Sequence, residues 1–305
     1  MSELPPPQSS RLAVLIPFAI VTLIWGSTWI VIRGQVNTVP LAWSVSYRFL
    51  IGGLTMLAYA TIRGERVSLD ARGWRFVAVL ALAQFCLNFN FVYRAETYIT
   101  SGLVAVVFAL LLIPNAVLGR IFLGQRLGAQ LIAGCAVAMA GIALLFLHEA
   151  RSDPHGPRAA LTGIGITLLG VLSASSANVL QGTETARRYA MAPTLAVAML
   201  IGSAMDAMIA WTSSGPPVID TSPAYLFGLA YLGIFASALA FTLYFGVLRV
   251  IGPAKAAYSS VIVPVIAMLL STVFEGYRWS PLAGAGAVLT AIGLIIALRA
   301  RRPAR

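Results

Sequence analysis

The chain has few charged side chains and almost no cysteine. Only 10% of its 305 residues are charged, whereas 59% are hydrophobic and the mean hydropathy is +0.87. This composition excludes an ordinary water-soluble domain and indicates an integral membrane protein. Both cysteines, Cys86 and Cys135, lie in apolar segments, so we expect neither a disulfide framework nor a CxxC metal site.

The sequence also lacks the signatures of an enzyme. It contains no HExxH, no Walker loop, no Cys-His cluster and no pair of intramembrane aspartates of the kind a membrane protease uses. Its two histidines, His148 and His155, both fall in one polar joint, where we expect a solvated loop. We therefore predict no catalytic residue, no metal site and no cofactor.

What the chain does contain is a series of apolar segments. A helix needs about 20 mostly apolar residues to cross a membrane, and ten such segments occur, separated by short polar joints. The first ten residues lack the basic region of a cleavable signal peptide, so we expect the first segment to be retained. The predicted spans are residues 12–32, 41–62, 74–93, 100–122, 127–147, 161–180, 193–212, 225–248, 254–274 and 281–298.

Two stretches, 102–141 and 252–293, share one pattern about 150 residues apart. In each, a proline follows a glycine by twelve residues, a Gln or Glu follows eleven later, and a helix with two glycines seven apart closes the stretch. Glycines two turns apart share a helix face and allow close backbone approach in lipid. The matched positions are Gly102 and Gly252, Pro114 and Pro264, Gln125 and Glu275, Gly134 with Gly141, and Gly286 with Gly293.

This pattern predicts an all-α integral membrane protein of ten transmembrane helices in two inverted five-helix repeats. Because each half crosses the membrane an odd number of times, the second half must enter from the opposite side. The predicted division is a first repeat at residues 1–147, an external joint at 148–160 and a second repeat at 161–305. The joint would face the outside of the cell.

The distribution of Lys and Arg sets the orientation. With a cytoplasmic N-terminus, fifteen of the 21 basic residues fall inside, and six, counting Arg48, fall outside. This asymmetry predicts cytoplasmic termini in the inner membrane and explains the net charge of +11 without any nucleic-acid partner. Trp74, Tyr93, Tyr225 and Trp279 stand at predicted span ends, where aromatic side chains anchor helices at the membrane interface.

The chain resembles the EamA branch of the drug/metabolite transporter superfamily, whose members carry two EamA units and ten helices. The residues that carry the resemblance are Trp25-Gly26-Ser27, Tyr47-Arg48-Phe49-Leu50, Phe122-Leu123-Gly124-Gln125, Gly252-Pro253-Ala254-Lys255 and Phe274-Glu275. The resemblance implies the fold and transport of a solute such as an amino acid, a nucleoside or another metabolite. One departure is Gln125, which stands where the family usually has an acidic residue.

Polar side chains at membrane depth are the candidates for a substrate site near the midplane, between the repeats. A serine-rich run in the sixth span gives the strongest local signal, although Ser and Asn also bond to their own helix or to neighbouring helices. The predicted substrate-binding residues are Trp25, Ser27, Arg48, Asn88, Ser173, Ser176, Asn178, Tyr244 and Tyr258.

Two ionisable residues, Arg48 and Asp206, fall inside spans. Arg48 lies about 12 Å below the outer end of the second span, at 1.5 Å per residue. A salt bridge between the two is one interpretation. The other is functional: Arg48 forms a bidentate hydrogen bond with a substrate carboxylate, and Asp206 is an ion-coupling residue.

The sequence thus predicts a secondary transporter that exports amino acids or similar small metabolites by alternating access. A multidrug or organic-cation efflux carrier is the first alternative, and a non-transporting membrane scaffold is the second. The expected partners are a small-molecule substrate and membrane lipid, and the chain is expected to be a monomer or a homodimer.

Overall fold

The computed structural model describes residues 8–36, 39–124, 128–152, 156–251 and 259–299. Within these ranges the chain is helical and contains no strand. Gln125, His155 and Tyr258 lie outside the described residues, as do Gly252 and the Pro-Ala-Lys sequence that follows it.

The described residues form ten long helices, three of which contain an irregular turn. Their bounds are α1 Gln8–Gln35, α2 Leu41–Ile62, α3 Ala71 to Ala95, α4 Ser101 to Leu123, α5 Ala129–Ser152, α6 Gly156–Gln181, α7 Met191–Ser214, α8 Pro223 to Ile251, α9 Ser259–Phe274 and α10 Pro281–Leu298. A single turn at Glu184–Arg187 lies between α6 and α7.

Seven of these helices, α1 to α4 and α6 to α8, are long and apolar enough to cross a membrane. In α5, α9 and α10 the apolar helical part that the structure describes is shorter, between 10 and 17 residues. All ten helices stand where the sequence predicts a span. The chain is therefore an all-helical, multi-pass membrane protein, and the full count of ten crossings stays a prediction.

Local sequence explains where several helices begin and end. The side chains of Asp70, Ser222 and Ser280 accept hydrogen bonds from backbone N–H groups in the first turns of α3, α8 and α10, as residues at the N-cap do. Proline follows at the first helical position of α8 and α10, where it breaks no helical hydrogen bond. After α4, Gly124 adopts a φ of +66°, which a side chain would disfavour.

The irregular turns lie at related positions in the two halves. A π-helical turn covers Ala81–Leu87 in α3, and another covers Tyr231–Leu239 in α8. A 3₁₀ turn at Ala109–Leu111 interrupts α4 just before Pro114, which cannot donate a helical hydrogen bond and crowds the preceding turn. Each of these turns leads into residues that line the central cavity described below.

The glycine faces predicted from the sequence pack α5 against α10, and this prediction is confirmed. A Cβ atom added to Gly141 would lie 2.6 Å from the carbonyl oxygen of Gly286, and one added to Gly286 would lie 2.7 Å from that of Gly141. Gly134 and Gly293 meet in the same way two helical turns away. A Cβ atom added to Gly134 would lie 2.6 Å from the Gly293 carbonyl oxygen. No side chain larger than hydrogen fits this contact without movement.

A second extensive pair joins α2 to α7 through polar contacts. The Ser46 hydroxyl donates to the Ser203 carbonyl oxygen at 2.9 Å, and the Ser203 hydroxyl donates to the Ser46 carbonyl oxygen at 2.8 Å. Gly52 of α2 lies against α8, where an added Cβ would be 3.2 Å from the Gly233 oxygen. Gly202 of α7 lies against α3, where an added Cβ would be 2.6 Å from Phe85 Cβ.

Several other helix pairings also occur in matched sets. α1 packs on α8 and α9, and α6 packs on α3 and α4. α2 packs on α8 as α7 packs on α3, and α4 and α9 contact each other. Exchanging each helix for the one whose number differs by five converts one set into the other. Helices α1, α2, α3, α4, α6, α8 and α9 together surround the centre of the molecule.

Three residues differ from the sequence-based expectation. His148, predicted in a solvated loop, lies buried in α5, where its ring bonds to the Arg278 carbonyl oxygen at 3.1 Å and the Ser280 hydroxyl at 2.9 Å. Tyr93 and Tyr225, predicted as interface anchors, are also buried. Tertiary packing decides this, because each of the three bonds to a polar group from another part of the chain: His148 to the segment before α10, Tyr93 to Gln35 of α1 and Tyr225 to Ser44 of α2.

Candidate functional site

A central cavity of about 120 Å³ lies between the first and second halves of the chain. Its walls combine aromatic rings with a few polar groups, a composition typical of ligand pockets. The lining side chains that carry polar groups or aromatic rings are Trp25, Thr28, Trp29, Arg48, Gln84, Asn88, Phe89, Phe108, Asn178, Phe241 and Tyr244. Five of the nine predicted substrate-binding residues are among them: Trp25, Arg48, Asn88, Asn178 and Tyr244.

Arg48 supplies a positive charge to the cavity wall although only 1% of its surface is exposed. Its Nε donates to the Ser237 hydroxyl at 3.0 Å, and its guanidinium carbon lies 4.3 Å from the centre of the Phe89 ring. Nη1 has no hydrogen-bond partner among the residues that the structure describes. Because a buried charged donor without a partner is costly, this group is suited to bind an anion in the cavity.

Aromatic rings position one another in another part of the cavity wall. The Trp25 ring contacts Tyr244 with 4.8 Å between ring centres and Phe241 with 5.5 Å. Its Nε1 donates to the Ala236 carbonyl oxygen at 3.3 Å, at the π-helical turn of α8. A π-helical turn leaves a backbone carbonyl open to such a donor, so Trp25 is held by backbone as well as by packing.

Two amides add hydrogen-bonding capacity to the wall. Asn88 Nδ2 donates to the Gln84 carbonyl oxygen of its own helix at 3.4 Å, and its Oδ1 has no partner within the described residues. The side-chain amide nitrogen of Asn178 in α6 lies 3.5 Å from the side-chain amide oxygen of Asn115 in α4. An amide offers both donors and acceptors, so these two groups can orient a polar solute.

Other predicted site residues lie away from the cavity. Ser27 bonds to the Tyr231 hydroxyl at 2.7 Å, and Ser173 donates to the Ala83 carbonyl oxygen at 2.9 Å. Ser176 is exposed and donates to the Leu172 carbonyl oxygen of its own helix at 2.9 Å. Leu172 and Leu169, four and seven residues earlier on the same face, are also exposed, so Ser176 faces outward from the helix bundle.

Asp206 and Arg48 do not meet, so the salt bridge that was one of the two interpretations is not formed. Asp206 is fully buried between α7 and α3, where its Oδ1 accepts a hydrogen bond from Asn90 at 2.7 Å. Arg48 bonds to Ser237 instead. Asp206 is not part of the cavity lining, and its ion-coupling role stays a prediction.

Four residues form a charged cluster where α1, α3, α4 and α9 come together: Arg33, Glu96, Ser101 and Glu275, which we call the carboxylate cluster. Arg33 Nε lies 3.5 Å from Glu275 Oε1, and Arg33 Nη1 donates to the Glu96 carbonyl oxygen. The Ser101 backbone N–H and hydroxyl donate to Glu275 at 3.2 Å and 2.5 Å. The cluster thus joins the ends of four helices that line the cavity.

The sequence analysis missed Glu96 because the residue lies in the short joint between two predicted spans, 74–93 and 100–122, where a solvated side chain is expected. The structure buries it completely. Neither carboxylate oxygen has a hydrogen-bond partner in the described part of the chain. Only the packing of α1, α2 and α9 around the end of α3 reveals this carboxyl group as unusual.

The model of the EamA-like transporter family matches residues 12–147 and again residues 161–299. Protein PagO from Salmonella typhimurium is 24% identical over 294 residues, which span 95% of this chain and 94% of PagO. The uncharacterized inner membrane transporter YedA from Escherichia coli K12 is 28% identical over 83% of this chain and 80% of YedA. The uncharacterized transporter YvbV from Bacillus subtilis is 25% identical over 97% of this chain and 93% of YvbV.

One solved crystal structure resembles the fold over nearly its full length. It superposes with a TM-score of 0.69, covers 95% of this chain and 97% of its own, and shares 20% sequence identity. At that identity the likeness concerns the arrangement of the helices alone.

Proposed function

The chain belongs to the EamA-like transporter family, and from this premise we propose that it exports amino acids or similar small carboxylate-bearing metabolites. It is a multi-pass membrane transporter. We place it in the inner membrane with both termini cytoplasmic, as two inverted five-helix repeats that open the cavity to one side and then to the other. The charge asymmetry of the loops and the matched helix pairings support this arrangement.

The observation that carries the substrate class is the state of Arg48. The side chain is buried in the cavity wall, and its Nη1 donor lacks a partner among the described residues. A substrate carboxylate would supply two acceptors in the plane of the guanidinium group, which is the pairing that arginine favours. We therefore assign Arg48 as the residue that binds the carboxylate, with Ser237 holding it in position.

The remaining cavity residues have complementary roles in the proposal. Asn88 and Asn178 can bond to the polar groups of an amino acid or a related metabolite, since each amide both donates and accepts. Trp25 and Tyr244 present rings and would cover the apolar part of the solute. The serines predicted at the site, Ser27, Ser173 and Ser176, are bonded elsewhere in this conformation.

The size and charge of the cavity argue against the alternative of multidrug or organic-cation efflux. Pockets for drug-sized ligands have volumes of about 300–1,000 Å³, whereas this cavity measures about 120 Å³. Aromatic walls would favour a cation through cation–π contacts. However, the Arg48 guanidinium already lies over the Phe89 ring and would repel a second cation.

The proposal is tested by metabolite analysis of the medium of cells that express the wild-type chain, Arg48→Lys or Arg48→Ala in equal amounts. We expect the wild type to enrich carboxylate-bearing metabolites. Arg48→Lys should reduce this enrichment by about tenfold or more, because a hydrogen bond to a charged group contributes about 1.5–3 kcal/mol and Lys cannot form the planar pair. Arg48→Ala should abolish it.

Arg94→Lys is the matched control, since Arg94 is exposed at the end of α3. It should export at the wild-type rate. Full export by Arg48→Lys would show that charge alone suffices, and full export by Arg48→Ala would remove Arg48 from the substrate site. Enrichment of organic cations in place of carboxylates would favour the alternative function.

A further inference from the structure

The carboxylate cluster contains two glutamates in opposite environments. Glu275 accepts hydrogen bonds from the Ser101 backbone N–H and hydroxyl, and Arg33 lies 3.5 Å away. Its carboxylate also lies at the first turn of α4, where the helix dipole favours a negative charge. Two Ser101 donors, the Arg33 guanidinium and a helix terminus therefore surround the oxygens of the Glu275 carboxylate.

Glu96 has none of these supports. It is fully buried, and no donor from the described residues reaches Oε1 or Oε2. Arg33 bonds to the backbone oxygen of Glu96 rather than to its carboxylate. A buried carboxylate without a donor is strongly disfavoured, and such a group takes up a proton instead.

The charged and titratable groups that face Glu96 come from every helix packed around it. Glu275 from α9 interacts with it most strongly, followed by Arg33 from α1 and Arg48 from α2. Tyr93 lies one turn earlier in α3 and also interacts with it. The strongest of these interactions is with a second carboxylate whose oxygens already accept hydrogen bonds. Glu96, which accepts none from the described residues, is therefore the glutamate that holds the proton.

We infer that Glu96 is a proton-binding site that controls the opening of the cavity at the carboxylate cluster. With its proton, Glu96 fits beside the Arg33–Glu275 pair and the helix ends stay together. When the carboxyl group releases the proton to water, a second negative charge appears beside Glu275 without a donor. Separation of the helix ends then admits water to hydrate this charge.

This assignment rests on the proposed function in treating the cavity as a transport path, and it adds the identity of a coupled ion. Arg48 connects the two sites, because it lines the cavity and its charge also interacts electrostatically with Glu96. An anion bound at Arg48 offsets the one cation that would stabilise an ionised Glu96 from the cavity side. Anion binding and protonation of Glu96 should therefore support each other.

The test measures opening directly on the purified full-length chain, without any substrate. Spin labels are attached through Thr97→Cys and Arg278→Cys, two exposed positions that follow Glu96 and Glu275, in a chain with both native cysteines replaced by alanine. We expect the distance between the labels to lengthen as the pH is raised from acidic to alkaline. Glu96→Gln, which mimics the protonated form, should keep the short distance at every pH.

Two variants make this result specific. Glu184→Gln repeats the same chemical change at an exposed glutamate far from the cluster and should leave the transition intact. Asp206→Asn tests the rival carboxyl group and should also leave it intact. A transition that persists in Glu96→Gln, or that is lost in Asp206→Asn alone, would overturn the assignment, as would a wild-type distance that does not change with pH.

An infrared difference spectrum gives a second readout. It requires neither a movement of the helix ends nor a variant that stays folded at extreme pH. Subtracting the neutral-pH spectrum of Glu96→Gln from that of the wild type should leave the band of one protonated carboxyl group. Absence of that band would also overturn the assignment. Because neither measurement uses export, a wrong substrate class would leave both results unaffected, and a failed proton site would leave the Arg48 test unaffected.

Discussion

The α5–α10 pair and the helices around the cavity use opposite kinds of contact. α5 and α10 meet through four glycines whose backbones touch, and neither helix lines the cavity. The helices around the cavity hold buried polar groups such as Arg48, Asn88 and Glu96, several of them with unpartnered atoms in the described part of the chain. The first contact is close-packed and tolerates one geometry, whereas the second retains polar capacity that a solute or a proton can satisfy.

The largest expected effect comes from breaking the glycine contact. Gly286→Ala would place a methyl group about 2.7 Å from the Gly141 carbonyl oxygen, and the two backbones would have to separate. We expect the free energy of unfolding to fall by about 1–3 kcal/mol, as in other overpacked cores. A lower thermal unfolding midpoint in detergent would report this loss.

Gly284→Ala is the matched control on the same helix, two residues earlier. An added Cβ at Gly284 meets nothing within 4 Å, and alanine favours a helix over glycine by about 1 kcal/mol. Its midpoint should stay unchanged or rise. Equal losses in both variants would show that the glycine contact is not the cause.

A smaller effect is expected when a serine that positions a cavity residue is replaced, compared with a serine elsewhere in the core. Ser237→Ala removes the acceptor of Arg48 Nε, at a net cost of about 1 kcal/mol because water in the cavity can partly replace it. Export of the carboxylate metabolite should fall more than this stability loss implies, since Arg48 loses its position. Ser203→Ala removes the hydrogen bond that the Ser203 hydroxyl donates to the Ser46 carbonyl oxygen, outside the cavity lining, and should lower stability alone. Equal export by the two variants would refute the positioning role of Ser237.

The smallest effect is expected at the surface, between the loops that precede α3 and α7. The Tyr189 hydroxyl donates to Asp70 at 2.6 Å, and this bond, followed by the Gly73 backbone N–H, lowers the pKa of the exposed Asp70 carboxyl below its ordinary value. A lowered folded-state pKa stabilises the fold above the unfolded-state pKa and ceases to do so as the pH falls through the folded-state value. Tyr189→Phe should therefore lower the unfolding midpoint at neutral pH by no more than about 1–2 °C, and the difference should vanish in strong acid. A difference that persists there would assign the effect to packing.

Much of the helical framework follows from local sequence. Apolar length predicted each of the ten helices, and the spacing of Gly134, Gly141, Gly286 and Gly293 predicted a close contact that α5 and α10 make. Helical spacing also held a signal that was overlooked at Ser176. It shares a face with Leu169 and Leu172, which indicated an outward-facing residue rather than a cavity residue.

For the polar groups, the depth of a residue in the membrane and the partners of its side chain have different origins. The sequence by itself determined that Arg48, Asn88 and Asn178 stand at membrane depth, because hydropathy and helical rise depend only on neighbours along the chain. The tertiary structure alone decided that Arg48 meets Ser237 instead of Asp206 and that His148 is buried. It also decided that the Glu96 carboxylate interacts with Glu275 and has no donor among the described residues. The surroundings of a side chain depend on how several helices rotate and pack around it, and that information is not present in any one helix.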